Sequence, residues 1–240
     1  MDIRELVARR SDLSTFLVHL TRDTEAGLAP DALRAILARG RIEARSVFGH
    51  ARRRLQAIAA PASQRCVCFT ETPLEYTHLL LADIENREVQ FRPYGVAITK
   101  RLGRQRGVNP VWYLDITPGH DWLAANLDAL LDRCLAGGQF TDPDLERLVP
   151  YIEQMGTRRA DDGRLVYRKE FWWEREWRYC GSHFRLPSRF IGLCPEPEIA
   201  AFEAFAAAEQ FPVRFVDPSW GLEQIIARLA GFRADDVEIL

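Results

Sequence analysis

Ser14-Thr15-Phe16-Leu17-Val18-His19-Leu20-Thr21 is followed, after a short connection, by Pro30-Asp31-Ala32-Leu33-Arg34-Ala35-Ile36-Leu37-Ala38-Arg39-Gly40. The first stretch is apolar, β-branched and aromatic, which reads as a strand. In the second, proline sits in the first turn, Leu33, Ile36 and Leu37 share one face, and Gly40 ends the pattern. That is a short helix with both of its boundary signals. The order of the remaining elements then decides between a regular βα alternation and a looser α+β mixture.

Downstream of Gly40, Val47, Ala51, Leu55 and Ile58 line one side of a predicted amphipathic helix over residues 47–60, with Arg52, Arg53 and Arg54 on its flank. Arg65 to Phe69 reads as a second strand. Thr72-Pro73-Leu74-Glu75 reads as a helix start, with Thr72 as N-cap, Pro73 at the first position and Glu75 as capping-box partner. Residues 91–100 and 111–115 are predicted strands, joined by a Gly- and Arg-rich connection that carries Arg101, Arg104 and Arg106. Leu123, Leu127, Leu130, Leu131 and Cys134 give helical spacing over 122–135. Residues 145–155 repeat that spacing, bent at Pro150. Asp161-Asp162-Gly163 signals a turn. Residues 174–184 read as a strand whose faces differ: Trp173, Arg175, Trp177 and Tyr179 point one way, Glu174, Glu176 and Arg178 the other. A strand over 212–216 and a last helix complete the chain. That helix is capped by Ser219, faced by Leu222, Ile225, Ile226 and Leu229, and closed by Gly231. Strands do not alternate regularly with helices, and no linker or repeat divides the chain. The expected class is therefore α+β, one domain over 1–240, with a mixed, mostly antiparallel central sheet flanked by helices.

Composition narrows the function. Hydrophobic residues make up 47% and charged residues 28%, as in an ordinary globular protein. The net charge of -2 means that any nucleic-acid binding would rest on a local basic patch. No apolar run is long enough to span a bilayer, and the charged start at Met1-Asp2-Ile3-Arg4-Glu5 lacks the apolar core of a signal peptide, so a cytoplasmic protein is expected. The 5 cysteines lack zinc-finger spacing and read as reduced thiols packed as small hydrophobes, with Cys66 and Cys68 facing one side of their strand. His50, His78, His120 and His183 show no ligand spacing, and no metal is expected.

Three segments put polar groups at the end or on one face of an apolar strand: 16–22, 68–74 and 173–178. The ordered set "FLVHLTR" (16–22), "L..IL..G.IEA" (33–44), "CVCFTETPL" (66–74), "PYGVAITK" (93–100), "NPVWYLD" (109–115) and "EREWR" (174–178) resembles the AbiGi family of abortive phage-resistance proteins. The resemblance runs from about residue 13 to at least Gly181. It implies a defence role, and the family is described as the antitoxin-like partner in a two-gene system.

The layout is also similar to that of ADP-ribosyltransferases, including DarT-like enzymes: a polar residue ending a first strand, a hydroxyl-bearing second strand, and E-x-E on a later one. That likeness implies an ADP-ribosyltransferase-like fold and NAD as substrate. His19 would bind the NAD ribose and amide region, and Thr70 would match the second-strand hydroxyl. Thr21, Arg22 and Tyr94 would line the cofactor site, Tyr94 as the candidate for stacking on nicotinamide. Glu176 would be the catalytic glutamate and Glu174 the first acid of the pair. A fixed carboxylate on a ribose hydroxyl stabilises oxocarbenium character in the transition state. Two acids two residues apart on a strand would face one side, about 7 Å apart. Trp172 and Arg178 are further candidates to contact the ring and pyrophosphate.

Each residue also has a structural reading. His19 would be a hydrogen-bonded histidine at a strand end. Glu174 and Glu176 would form a solvated face paired with Arg175, Arg178 or Lys169. Thr70 and Glu71 would belong to a strand-to-helix turn, and the Arg clusters would be surface charge. The leading expectation is an enzyme that modifies a nucleic acid or protein acceptor. The alternative is a non-catalytic partner that neutralises a cognate toxin.

Overall fold

The structure, a computed structural model, describes residues 10–55, 61–84, 87, 89–136, 139–160 and 162–232. Its larger elements, in chain order, begin with β1 (Phe16–Leu20), α1 (Ala29–Arg39), β2 (Arg65–Thr70), β3 (Gly95–Thr99) and α2 (Lys100–Gln105). There follow β4 (Asn109–Pro110), β5 (Trp112–Asp115), α3 (Trp122–Cys134), α4 (Pro143–Leu148), β6 (Ile152–Arg159), β7 (Leu165–Lys169) and β8 (Glu176–Cys180). The last are β9 (Ile191–Leu193), α5 (Ile199–Ala208), β10 (Phe215–Val216) and α6 (Leu222–Ala230). The class is α+β, with several sheets. The elements gather into two units. One takes Met1–Ile42, Phe69–Gln105 and Arg185–Leu240, the other Glu43–Cys68 and Arg106–Phe184.

In the first unit the strand order is β10-β9-β3-β1, followed by the end of β2. β9 pairs with β10 in parallel, and the other pairings are antiparallel. Strand alternation sends Val18, Leu20, Ala97, Ile191, Leu193 and Val216 to one face. They pack there with Ile225 of α6 and with Leu74 and Leu80. The opposite face carries Leu17, Val96, Ile98 and Phe215, all buried. Phe215 stacks on Phe202 of α5, and α1 lies beside α5. Both faces of this sheet are therefore covered, so β1 and β3 read as nearly continuous apolar runs. α1 begins where Asp23 Oδ1 accepts the Ala29 N–H at 2.9 Å and ends at Gly40, which takes the left-handed conformation at φ 61. Gly192 is required by packing: a Cβ there would lie 2.3 Å from the Phe215 ring.

In the second unit a three-stranded sheet runs β7-β6-β5, antiparallel between β6 and β7 and parallel between β6 and β5. β8 pairs with β4 and with β2. A separate apolar cluster joins Ala51, Leu55, Leu131, Leu145 and Val149, which fixes α3 and α4 against the short helix Arg52–Leu55.

Several sequence expectations need correction. The segment after Thr72 is a 3-10 helix, Leu74–Leu81, with Leu74, Thr77 and Leu80 buried. That period of three suits a 3-10 helix, not the 3.6 of an α-helix. Pro73 holds the N-cap with no side-chain capping bond, so Thr72 and Glu75 form no capping box. The pattern over 145–155 is not one bent helix. α4 stops at Leu148, Val149–Tyr151 is a 3-10 turn around Pro150, and β6 starts at Ile152. The strand expected over 174–184 begins only at Glu176. Phe171–Glu174 is a 3-10 turn, and Arg175 adopts a left-handed φ of 49. Glu174 and Glu176 therefore do not share a strand face, and the spacing of about 7 Å expected of two alternating strand positions has no basis here. The connection bearing Arg101 and Arg104 is the helix α2. Ser219 does not cap α6. Gly221 stands at the N-cap, and the Ser219 hydroxyl donates to Asp217 Oδ1 at 2.7 Å. The helix expected over 47–60 is interrupted by Gly49 at φ +96, where a Cβ would meet the Val149 carbonyl oxygen at 2.6 Å. Its Ile58 lies outside the described residues, as do Asp161 and the first nine residues.

Candidate functional site

A dense group of ionisable side chains lies in the second unit, around Arg178. On β8, alternation puts Glu176, Arg178 and Cys180 on one face. That polar face is the buried one: Arg178 is 1% exposed. Its Nε donates to Glu176 Oε1 at 2.9 Å and its Nη2 to Glu176 Oε2 at 2.8 Å, a two-point grip on one carboxylate. Nη2 also donates to Glu153 Oε2 at 2.8 Å, and Nη1 to the Pro150 carbonyl at 2.6 Å. The guanidinium lies over the Phe48 ring, 5.3 Å from its centroid. Glu153 has further partners in Lys169 Nζ at 2.9 Å and the Gly49 N–H at 3.3 Å. Burying a charge is tolerable only when it is paired and hydrogen-bonded, and each of these three is.

The proton affinities follow from this geometry. Burial alone would raise the Glu153 pKa, but Arg178 and Lys169 outweigh it and hold the carboxyl down at about 2. Burial, then the nearby Glu176 charge, pushes the Tyr113 hydroxyl above its ordinary range. Arg178 stays cationic despite its burial because Glu176 and Glu153 face it. Cys68 is raised by burial and then by Glu176. A second polar chain lies nearby in sequence. His50 Nε2 and Asp128 Oδ1 are 2.8 Å apart, Arg54 binds Asp128 at 2.6 Å and Asp132 at 2.9 Å, and Gln154 Nε2 reaches His50 Nδ1 at 3.2 Å.

Of the predicted site residues, His19, Thr21, Arg22, Thr70 and Tyr94 belong to the first unit, and Glu174 and Glu176 to the second. In the β1–β2 register Val18 pairs with Thr70, so those two side chains share a face. His19 makes an edge contact with Phe69, centroids 5.9 Å apart, on the other face. His19 and Thr70 thus leave opposite faces of their strand pair. The Thr70 hydroxyl is 2.8 Å from the Thr72 hydroxyl. Glu71 forms an ion pair with Lys100 at 2.7 Å. The Thr21 hydroxyl lies 3.1 Å from the Ala29 carbonyl and 3.0 Å from that of Tyr94, tying β1 to the start of α1. Tyr94 donates to Glu198 Oε1 at 2.6 Å, and burial together with that carboxylate pushes its hydroxyl up to about 12. Arg22 is half-buried. Glu176 keeps 17% of its side chain exposed, with both oxygens on Arg178.

Glu153 and the thiol pair Cys66–Cys180 were not anticipated. The signal was present in Glu176-x-Arg178-x-Cys180 opposite Cys66-x-Cys68, two strands with matching polar faces. Among the described residues, no group of three or more His, Cys, Asp or Glu could hold a metal ion.

The second unit also has an aromatic surface. Trp112, Trp122, Trp172 and Trp173 are exposed there, as are Leu165 and Val166 of β7. Arg158, Arg159, Arg164 and Arg168 are exposed on the same β6–β7 hairpin. Exposed aromatics beside arginines are the composition of an interface core. No helix among the described residues is long and apolar enough to cross a membrane.

Residues 34–196 match the profile of a family described as abortive phage resistance protein AbiGi, antitoxin. No curated protein and no solved structure matches the chain.

Proposed function

This chain belongs to the AbiGi family of abortive phage resistance proteins, and from that premise we propose that it acts as a non-catalytic antitoxin-type partner that binds and neutralises a cognate toxin protein. One observation supports binding over catalysis: both oxygens of Glu176 accept hydrogen bonds from the buried Arg178. A carboxylate so engaged serves as a counter-ion, and its removal would leave an uncompensated charge. The contact surface we assign is the β6–β7 hairpin with Trp172 and Trp173; Arg164 and Arg168 are paired there with Asp162 and Glu170, and the exposed Arg158 and Arg159 favour an acidic face on the toxin. We read 1–240 as one domain, a reading supported by the interleaving of the two units along the chain. Its setting is the cytoplasm, where its free thiols stay reduced.

The test is co-expression with the toxin of its own locus. Wild type restores growth and co-purifies with the toxin. The double variant Trp172→Ala, Trp173→Ala loses both while its thermal unfolding is unchanged. Full rescue by that variant would place the contact elsewhere.

The second reading keeps the sheet as ADP-ribosyltransferase-like, with NAD as substrate and a nucleic acid or protein acceptor. It is favoured by the rigid placement of Glu176 at the head of β8, as a positioned acid requires. In that reading NAD would be held on the first unit, by His19. Calorimetric titration separates the two readings: NAD binding that is lost in His19→Ala supports the enzyme, and no heat with wild type removes it.

A further inference from the structure

Cys66 of β2 and Cys180 of β8 bring their sulfurs to 3.4 Å. The two strands are hydrogen-bonded neighbours, and the Gly181 N–H donates to the Arg65 carbonyl at 3.0 Å, so the backbone holds the pair side by side. All five cysteines are free thiols. Neither thiol of this pair has a role in the contact surface or in the proposed toxin binding.

We propose that Cys66 and Cys180 form a peroxide-oxidisable dithiol, with Cys180 as the sulfur attacked and Cys66 as the resolving thiol.

The two positions differ in a way that assigns the roles. Cys66 is 4% exposed, whereas Cys180 is half-buried. Cys180 is also the sulfur that gains thiolate character. Its hydrogen bond with the Cys66 sulfur lowers its pKa against the cost of burial, and the Tyr151 hydroxyl and the Arg178 cation add to the effect. The same bond, with burial, drives the Cys66 thiol upward. Cys68 lies on the same face of β2, but burial and then the Glu176 carboxylate disfavour its thiolate.

The chemistry balances in two steps. Cys180 thiolate attacks one oxygen of hydrogen peroxide. An S–O bond forms, the O–O bond breaks, and the departing hydroxide takes a proton to become water. Cys180 is then a sulfenic acid, oxidised by two electrons. Cys66 sulfur next attacks Cys180 sulfur. An S–S bond forms, the S–O bond breaks, and the Cys66 proton leaves with the hydroxyl as a second water. The two sulfurs already lie 3.4 Å apart on neighbouring strands, and a disulfide requires them to close to about 2 Å with a Cβ–S–S–Cβ dihedral of about 90°. The product clips β2 to β8 and removes the thiol proton shared between the two sulfurs.

The test treats the full chain with hydrogen peroxide and then counts thiols under denaturing conditions, with peptide mapping by mass spectrometry. Titratable thiols should fall from five to three, a single Cys66–Cys180 cross-linked peptide should appear, and dithiothreitol should restore all five. In Cys66→Ser, Cys180 should stop at the sulfenic acid, which dimedone traps. In Cys180→Ser, the other four thiols should survive the same exposure. Because either serine could disturb the sheet, the wild-type peptide map stands as an independent readout. A cross-link between any other pair, five thiols remaining after treatment, or dimedone labelling that falls on Cys66 in Cys180→Ser overturns the proposal.

Discussion

The first unit fills its interior with apolar side chains on both faces of a sheet, down to a glycine that makes room for a phenylalanine ring. The second buries an arginine against two carboxylates and a backbone carbonyl, one of the carboxylates also being paired with a lysine. The difference is energetic as well as chemical. Apolar packing is graded, because each methylene contributes on its own. A closed ionic cluster is nearly all-or-none, since removing one member strands the others in a medium that solvates them poorly. The second unit is therefore expected to be sensitive to single polar substitutions and to acid, and the first to changes of volume.

The largest effect is expected at the arginine. Arg178→Met keeps the stem but takes the arginine from Glu176 and leaves Glu153 with Lys169 alone, and should cost roughly 3–5 kcal/mol in urea unfolding. A variant as stable as wild type would mean the cluster holds nothing together. Acid comes next. The folded Glu153 pKa is depressed to about 2 from an unfolded value near 4.5. Its contribution is thus present above the unfolded pKa and is lost as pH falls from there through about 2. The loss is on the order of 3 kcal/mol. Other carboxylates titrate in the same window, so the comparison is with Glu153→Gln, whose stability should fall less steeply between pH 4.5 and 2. Parallel profiles for the two proteins would remove Glu153 from the account. In the first unit, Gly192→Ala drives a methyl into the Phe215 ring and should lower stability by about 1–3 kcal/mol with no pH dependence. The smallest effect on stability is expected at the surface. Trp172→Ala should stay within about 0.5 kcal/mol of wild type while weakening toxin binding. A change in unfolding larger than the change in binding would make Trp172 a structural residue.

The legibility of the chain in its sequence follows the same division. β1, β2 and α3 are readable from their residue pattern alone, and in α1 the breaker agrees with the period: Gly40 ends it in the left-handed conformation expected of it. The misreadings fall where two periods compete. Leu74, Thr77 and Leu80 fit a helix in one dimension, and only the burial of every third residue shows it to be 3-10. Pro150 was taken as a bend, but the chain leaves the helix there and pairs with β5. On β8 the alternation was readable while its direction was not. A face of Glu, Arg and Cys reads as the wet one, and nothing local in the sequence announces that Glu153, 25 residues upstream of Arg178, closes the cluster. The pairing of Glu176 with Arg178 could be anticipated; its burial could not. Glu174 was misplaced for a purely backbone reason, the left-handed turn at Arg175.

The central claim is that Glu176 serves as the counter-ion of Arg178 in a protein that works by binding. The most direct measurement is toxin neutralisation by Glu176→Gln, in which the amide keeps the volume and one acceptor. Circular dichroism would first confirm that the variant is folded. Neutralisation equal to wild type at matched protein levels is the predicted result. A folded variant that no longer protects, while wild type consumes NAD, would contradict the account and make Glu176 the catalytic acid of an ADP-ribosyltransferase.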